Sequence, residues 1–109
     1  MVDVPVLRPA GEVDLAAGGV LRPGWLTLCD VVRPELVVVD LAAVTFCDSG
    51  GLSLFIDLHQ RLDTRGGSLG LAAVQAPVLS VLRAANLDRL LNLYPTVDDA
   101  VQAGLTTGR

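Results

Sequence analysis

The pattern of apolar and polar residues changes its period near the middle of the chain. Residues 36–39 form a continuous apolar run rich in valine, which predicts a buried strand over residues 36–41. From Ser49 to about Arg65 the apolar residues recur at helical spacing, and two good N-cap residues, Asp48 and Ser49, open this segment. The pattern therefore predicts a strand, a turn and a helix, with residues 48–51 at the helix N-terminus.

The predicted helix has a wide apolar arc, and Leu54 and Leu58 lie at the outer edge of that arc. Either the sheet beneath the helix covers both side chains, or they form an exposed hydrophobic edge for a partner. Gly66 and Gly67 are expected to end the helix.

The rest of the chain repeats the alternation of strand and helix. Further strands are predicted at residues 4–9, 68–74 and 90–93, and further helices at residues 15–32, 75–85 and 96–103. This order predicts an α/β fold with a mostly parallel central sheet of about four strands and about four helices. We expect a single domain over residues 1–109, with residues 104–109 as a flexible tail.

The segment before the central strand is less regular. Residues 11–14 are predicted to form the turn into the first helix, with Asp14 as its N-cap. Inside that helix, Pro23 lacks a backbone N–H and would clash with the preceding turn, at a cost of about 3 kcal/mol. We therefore expect a break near Pro23, and we expect Trp25 to pack the second piece onto the sheet.

Composition narrows the classes of protein that the chain can belong to. The apolar fraction of 51% suffices for a packed core, and no apolar run is long enough to predict a membrane span. Asp3 and Pro5 stand where a signal peptide would carry basic residues, so a cytoplasmic protein is expected. The net charge is −4 and the arginines are scattered, which does not favour nucleic-acid binding.

The two cysteines, Cys29 and Cys47, allow two interpretations. They are either small buried hydrophobic residues or a redox-sensing pair, since Cys47 lies beside the predicted turn. Together with the single histidine they match no zinc-ligand spacing, so no metal or other cofactor is expected.

The sequence from Asp48 to Gly51 also matches part of the motif around the nucleophile of chymotrypsin-like proteases. The only histidine, His59, follows Ser49 by ten residues. It would lie about 15 Å away along the predicted helix, too far to act as the base. No glycine-rich nucleotide-binding motif is present either, and no enzymatic activity is expected.

Several motifs together resemble the STAS domain of bacterial anti-sigma factor antagonists. They are D-L at residues 40–41, F-x-D-S-x-G-L at residues 46–52, G-E-V-D at residues 11–14 and the late helix that begins with Pro77. The resemblance implies a binding module whose partner is an anti-sigma factor with a GHKL-type serine kinase fold, so that transcription is regulated indirectly. It implies a contact surface made of Asp48, Ser49, Gly50, Gly51, Leu52 and Ser53, with Glu12 and Asp14.

One residue departs from the pattern of the phosphorylated family members. Those members carry D-S-S-G or D-S-T-G, and the second hydroxyl residue accepts the phosphate, whereas Gly50 occupies that position here. Three outcomes are open: Ser49 is a displaced phosphoacceptor, or the protein binds without phosphorylation and is gated by another signal such as the cysteines, or it is a STAS scaffold or subunit of another system, stressosome-like or transport-associated. The sequence does not indicate the oligomeric state.

Overall fold

The computed structural model describes residues 4–107, with side chains up to residue 104. The strands are β1 (Val6–Leu7), β2 (Gly11–Val13), β3 (Leu36–Asp40), β4 (Val44–Cys47), β5 (Ser68–Ala72) and β6 (Asn92–Tyr94). The helices are α1 (Leu15–Val32), α2 (Ser49–Asp63), α3 (Ala76–Ala84) and α4 (Val97–Thr107).

The strands form two parallel sheets. The larger has the order β1-β3-β5-β6, and the smaller pairs β2 with β4. The fold class predicted from the sequence, an α/β fold with a mostly parallel central sheet and four helices, is confirmed.

The central strand β3 is buried on both faces, which explains its continuous apolar run. Val37 and Val39 belong to the core shared with α1, α2 and α3. Leu36 and Val38 alternate with them and pack on the other side, where Ala100 of α4 lies. Helices therefore cover both faces of the sheet.

The predicted break of α1 at Pro23 is wrong: the helix runs without interruption from Leu15 to Val32. Pro23 has no N–H to donate to the carbonyl oxygen of Gly19, four residues earlier. Both residues are exposed, so water can reach that oxygen. The cost of the proline therefore falls on the solvent side, away from the face that packs on α2.

Contacts with α2 hold α1 on both sides of Pro23. Before it, Arg22 forms an ion pair with Asp57. After it, Asp30 accepts contacts from Arg61 at 2.8 Å and from Arg65 at 3.4 Å. These links, with the buried face of the helix, favour one continuous helix over two pieces.

Trp25 is buried, as expected, and its ring stacks on Phe55 of α2 at a centroid separation of 6.5 Å. Leu54 and Leu58 of α2 are completely buried. The alternative in which these two leucines form an exposed hydrophobic edge is therefore wrong.

Other differences concern short elements and chain ends. Residues 11–13, predicted as a turn, form strand β2, and β4 was not predicted at all. Helix α4 continues four residues beyond the predicted end at Ala103, and Gly104 in this extension packs closely on Leu36. Of the predicted tail, residues 108–109 lie outside the described part of the chain.

Candidate functional site

Two similar units lie side by side at one edge of the molecule. In each, a short strand is followed directly by an aspartate that caps a helix. The last residues of the two strands, Val13 and Cys47, are partners in the ladder. Asp14 accepts a hydrogen bond from the backbone N–H of Ala17 at 2.9 Å. Asp48 accepts the equivalent bond from Gly51 at 3.1 Å. Asp14 and Asp48 are thus confirmed as N-caps, whereas Ser49, also predicted as an N-cap residue, is the first residue of α2. Two helix N-termini meet at this edge.

Glycines bring these two helix N-termini into direct contact. A Cβ atom placed on Gly50 would lie 2.5 Å from Cα and 2.9 Å from the backbone nitrogen of Leu15. A Cβ atom on Gly18 would lie 3.2 Å from the carbonyl oxygen of Gly50. A Cβ atom on Gly51 would overlap the carbonyl oxygen of Val13. The turn at residues 48–51 therefore packs backbone against backbone on the start of α1.

The residues predicted to form the contact surface differ in exposure. Glu12 and Ser49 are exposed, and Asp14, Asp48 and Gly50 are partly buried. The three carboxylates and the Ser49 hydroxyl lie at the same edge, so the structure brings these predicted residues together.

Three other predicted contact residues are engaged inside the protein. Gly51 and Leu52 are buried. The hydroxyl of Ser53 donates to the carbonyl oxygen of Gly50 at 2.9 Å and accepts from Arg22 at 3.2 Å. These three residues shape the turn and join it to α1, and they present little surface to a partner.

Two large apolar side chains at this edge were not identified from the sequence. Leu15, the first residue of α1, is 74% exposed, and Phe46 of β4 is 44% exposed. Phe46 pairs with Glu12 in the ladder between β2 and β4. The sequence held only two signals that these side chains would be exposed. Leu15 directly follows the cap residue Asp14, and Phe46 points outward in a strand that is too short to be recognised from the sequence.

The same edge carries acidic groups that form no ion pair within the described residues. The ion pairs in the described residues link Arg8 to Asp40, Arg22 to Asp57, and Arg61 and Arg65 to Asp30. Glu12, Asp14 and Asp48 take part in none of them. This edge is therefore apolar and acidic, which suits a partner that offers apolar and basic groups.

A shallow groove adjoins this edge between β2 and α1. Its volume is about 330 Å³, and it is lined by Pro9, Ala10, Glu12, Val13, Ala17, Val20 and Leu21. The groove extends the apolar part of the surface along the first half of α1.

The cysteines lie in environments that keep them as thiols. Cys29 and Cys47 are both buried and unbonded to each other. Burial raises the pKa of Cys29, and burial followed by the nearby Asp48 charge raises the pKa of Cys47 to about 11. Since the thiolate is the reactive form, these shifts favour the interpretation as small buried hydrophobic residues.

The described residues contain neither a metal-binding cluster nor a membrane-spanning helix. No group of three or more His, Cys, Asp or Glu residues there is arranged to hold a metal ion. Within residues 4–107, no helix combines the length and the apolar character needed to cross a membrane.

Comparison with known proteins identifies the family. The model of the STAS domain matches residues 2–100. The chain belongs to the STAS domain family. The "Putative anti-anti-sigma factor Rv2638" of Mycobacterium tuberculosis is 34% identical over 89 residues, which cover 82% of this chain and 53% of that protein. The chain thus spans about half the length of this STAS relative.

Two further relatives match over most of their length. The anti-sigma-F factor antagonist RsfB of Mycobacterium tuberculosis is 29% identical over 108 residues, which cover 97% of this chain and 84% of RsfB. The crystal structure of an anti-sigma factor antagonist from Mycobacterium paratuberculosis superimposes with a TM-score of 0.83 at 29% identity, covering 94% of this chain and 86% of that one. The STAS relatives named here are bacterial.

Proposed function

We propose that this STAS domain is a non-enzymatic anti-sigma factor antagonist that binds an anti-sigma factor. The names of its relatives support an antagonist more than a stressosome-like scaffold or a transport-associated subunit. Binding would release the sigma factor that the anti-sigma factor holds, so the effect on transcription is indirect.

One observation carries the choice of surface. Leu15 and Phe46, two large apolar side chains, are exposed at the edge where the STAS motif lies. Exposed apolar residues beside a groove with an apolar lining are typical of an interaction site, and the groove between β2 and α1 adjoins this edge. Glu12 and Ser49 lie among them, so we define the contact surface by Glu12, Leu15, Phe46 and Ser49.

Charge supports the same surface. Three carboxylates lie at this edge without a cation of their own, as described above. An arginine or lysine of the partner would therefore pair with a charge that is not already neutralised, which raises the association rate and selects the partner. We propose that the partner is an anti-sigma factor with a GHKL-type kinase fold and that it offers a basic residue at this edge.

Phosphorylation at the usual position requires a hydroxyl group, which Gly50 lacks. Ser49 is the exposed hydroxyl residue of the turn and the remaining candidate acceptor. We propose that the domain binds its partner without phosphorylation at position 50, and that Ser49 is where any phosphate would be added.

The test is capture of the anti-sigma factors encoded in the same genome, with and without ATP, followed by intact-mass measurement of the captured domain. We expect one kinase-like protein to bind and the mass of the domain to stay unchanged. Added mass of one phosphate that is lost in Ser49→Ala would place the acceptor at Ser49. Failure of every such protein to bind would contradict the proposed function.

A further inference from the structure

Gly50 is not needed for backbone conformation. It lies in the first turn of α2, and the described glycines with positive φ are Gly11 and Gly66. A glycine in a helix destabilises it relative to alanine. The presence of glycine at position 50 therefore calls for another explanation, and the space around it supplies one.

The atoms nearest to Gly50 belong to the first residue of α1. An added Cβ atom would lie 2.5 Å from Cα, 2.7 Å from Cβ and 2.9 Å from the nitrogen of Leu15. Optimal contacts between carbon atoms are about 3.5–4.0 Å, so all three distances are overlaps. Because two of these atoms are backbone atoms, no change of rotamer at Leu15 can relieve them.

The start of α1 cannot retreat easily, because several bonds hold it. Asp14 caps the helix through Ala17, and the N–H of Gly18 donates to the carbonyl oxygen of Asp14 at 2.8 Å. The residue before Asp14, Val13, lies in the ladder opposite Cys47. Moving α1 away from α2 would strain the cap and the small sheet together.

We infer that α1 closes position 50: the backbone of Leu15 fills the space that any side chain there would need. This inference rests on the proposed function and deepens it, because it concerns regulation of the same surface. The turn then has one form, which is competent to bind. Restoring a hydroxyl residue at position 50 alone would not restore a phosphorylation switch, since the residue could not be accommodated without displacing α1 and the contact surface with it.

Substitutions at Gly50 and at a matched glycine test the closure directly. Gly24, another helical glycine, has nothing within 4 Å of an added Cβ atom. We expect Gly50→Ala to lower the melting temperature by about 5 °C or more, and Gly24→Ala to leave it unchanged or raise it. Equal melting temperatures for the two alanine variants would overturn the inference.

The serine pair tests the consequence for regulation. Gly50→Ser and Gly24→Ser are each incubated with ATP and the captured anti-sigma factor. We expect Gly50→Ser to bind at least about tenfold more weakly than the unmodified chain even before ATP is added, and to gain no phosphate. A Gly50→Ser variant that binds normally, gains one phosphate and is then released would overturn the closure.

Two failures remain distinguishable. If Gly50→Ser does not fold while Gly24→Ser does, the closure is supported, and Gly50→Ala supplies the measured shift. If the unmodified chain captures no anti-sigma factor, the proposed function fails, whereas the melting temperatures of the alanine pair still decide whether position 50 is closed.

Discussion

The two strand–aspartate–helix units start alike but are stabilised differently. Helix α2 buries six residues, and five of them, among them Phe55 and Leu58, belong to the main core. Helix α1 is longer, yet its buried residues are Gly18, Trp25 and Cys29. The position of α2 is thus set by the core, whereas α1 depends on its contacts with α2.

This difference bears on function because the proposed contact surface draws on both units. Phe46 and Ser49 come from the unit of α2, and Glu12 and Leu15 come from the unit of α1. The shape of the surface therefore depends on how closely α1 approaches α2, and the substitutions below separate the contributions of the two helices.

The largest expected effect comes from the core of α2. Leu58→Ala removes a completely buried side chain and should lower the free energy of unfolding by about 2–5 kcal/mol. Val20→Ala on the outer face of α1, where the side chain is 80% exposed, should change it by less than about 0.5 kcal/mol. Urea denaturation of both variants measures the contrast. Similar losses in the two variants would contradict the division between a core helix and a dependent helix.

The sequence predicted the unit of α2 better than the unit of α1, and the reason is physical. The apolar run of β3 and the helical period of α2 reflect burial in the core, which leaves a strong local pattern. In α1 the local cost of Pro23 predicted a break. The contacts of Arg22 and Asp30 with α2 outweigh that cost, but they join residues that are far apart in the sequence and leave no local pattern.

The short strands and the closure of position 50 could not be predicted for a related reason. In β4, Val44 and Cys47 are buried while Thr45 and Phe46 are exposed, a pattern too short to recognise. The contact of Gly50 with Leu15 joins residues 35 positions apart, and only the folded structure shows that distance.

The two helix caps offer a closer comparison of the units. Asp48→Ala and Asp14→Ala should each lower the free energy of unfolding by about 1 kcal/mol, since each removes one capping bond. Asp14 is also one of the three carboxylates of the contact edge, so binding is compared in Asp14→Asn, which keeps a capping oxygen but not the charge. Because the Asp14 cap holds α1 against Gly50, Asp14→Ala should bind the partner more weakly than Asp14→Asn does. Equal binding by these two variants would show that α1 is not held by its cap.

The pH dependence of stability reports on Cys47, the last residue of β4. Cys47 has a folded-state pKa of about 11, above the reference value of 9.0, because burial disfavours the thiolate. The folded protein favours the neutral thiol of Cys47. The contribution of this thiol to the free energy of unfolding is therefore fully present below pH 9.0 and is lost as the pH rises towards about 11. We expect the free energy of unfolding to fall over this range, and to fall less steeply in Cys47→Ala. Identical slopes would contradict the assignment to Cys47.

The smallest expected effect concerns the ion pairs that link α1 to α2. Asp30→Asn removes the negative charge that Arg61 and Arg65 contact, and since this pair is partly exposed the change should cost at most about 1 kcal/mol at low salt. Asp63→Asn, at an exposed carboxylate of α2 without an ion pair in the described residues, is the control and should have no effect. High salt should reduce the difference between the two variants. A difference that salt does not change would indicate that packing, rather than charge, holds this end of α1.

The proposed function depends most directly on the contact surface, which one pair of variants tests. Leu15 and Val31 lie at opposite ends of α1, and each is 74% exposed. Calorimetric titration with the captured anti-sigma factor should show Leu15→Asp binding at least about tenfold more weakly, because an apolar anchor of the interface is lost. Val31→Asp should bind like the unmodified chain. Unchanged affinity in Leu15→Asp, or equal weakening in both variants, would contradict the proposed surface.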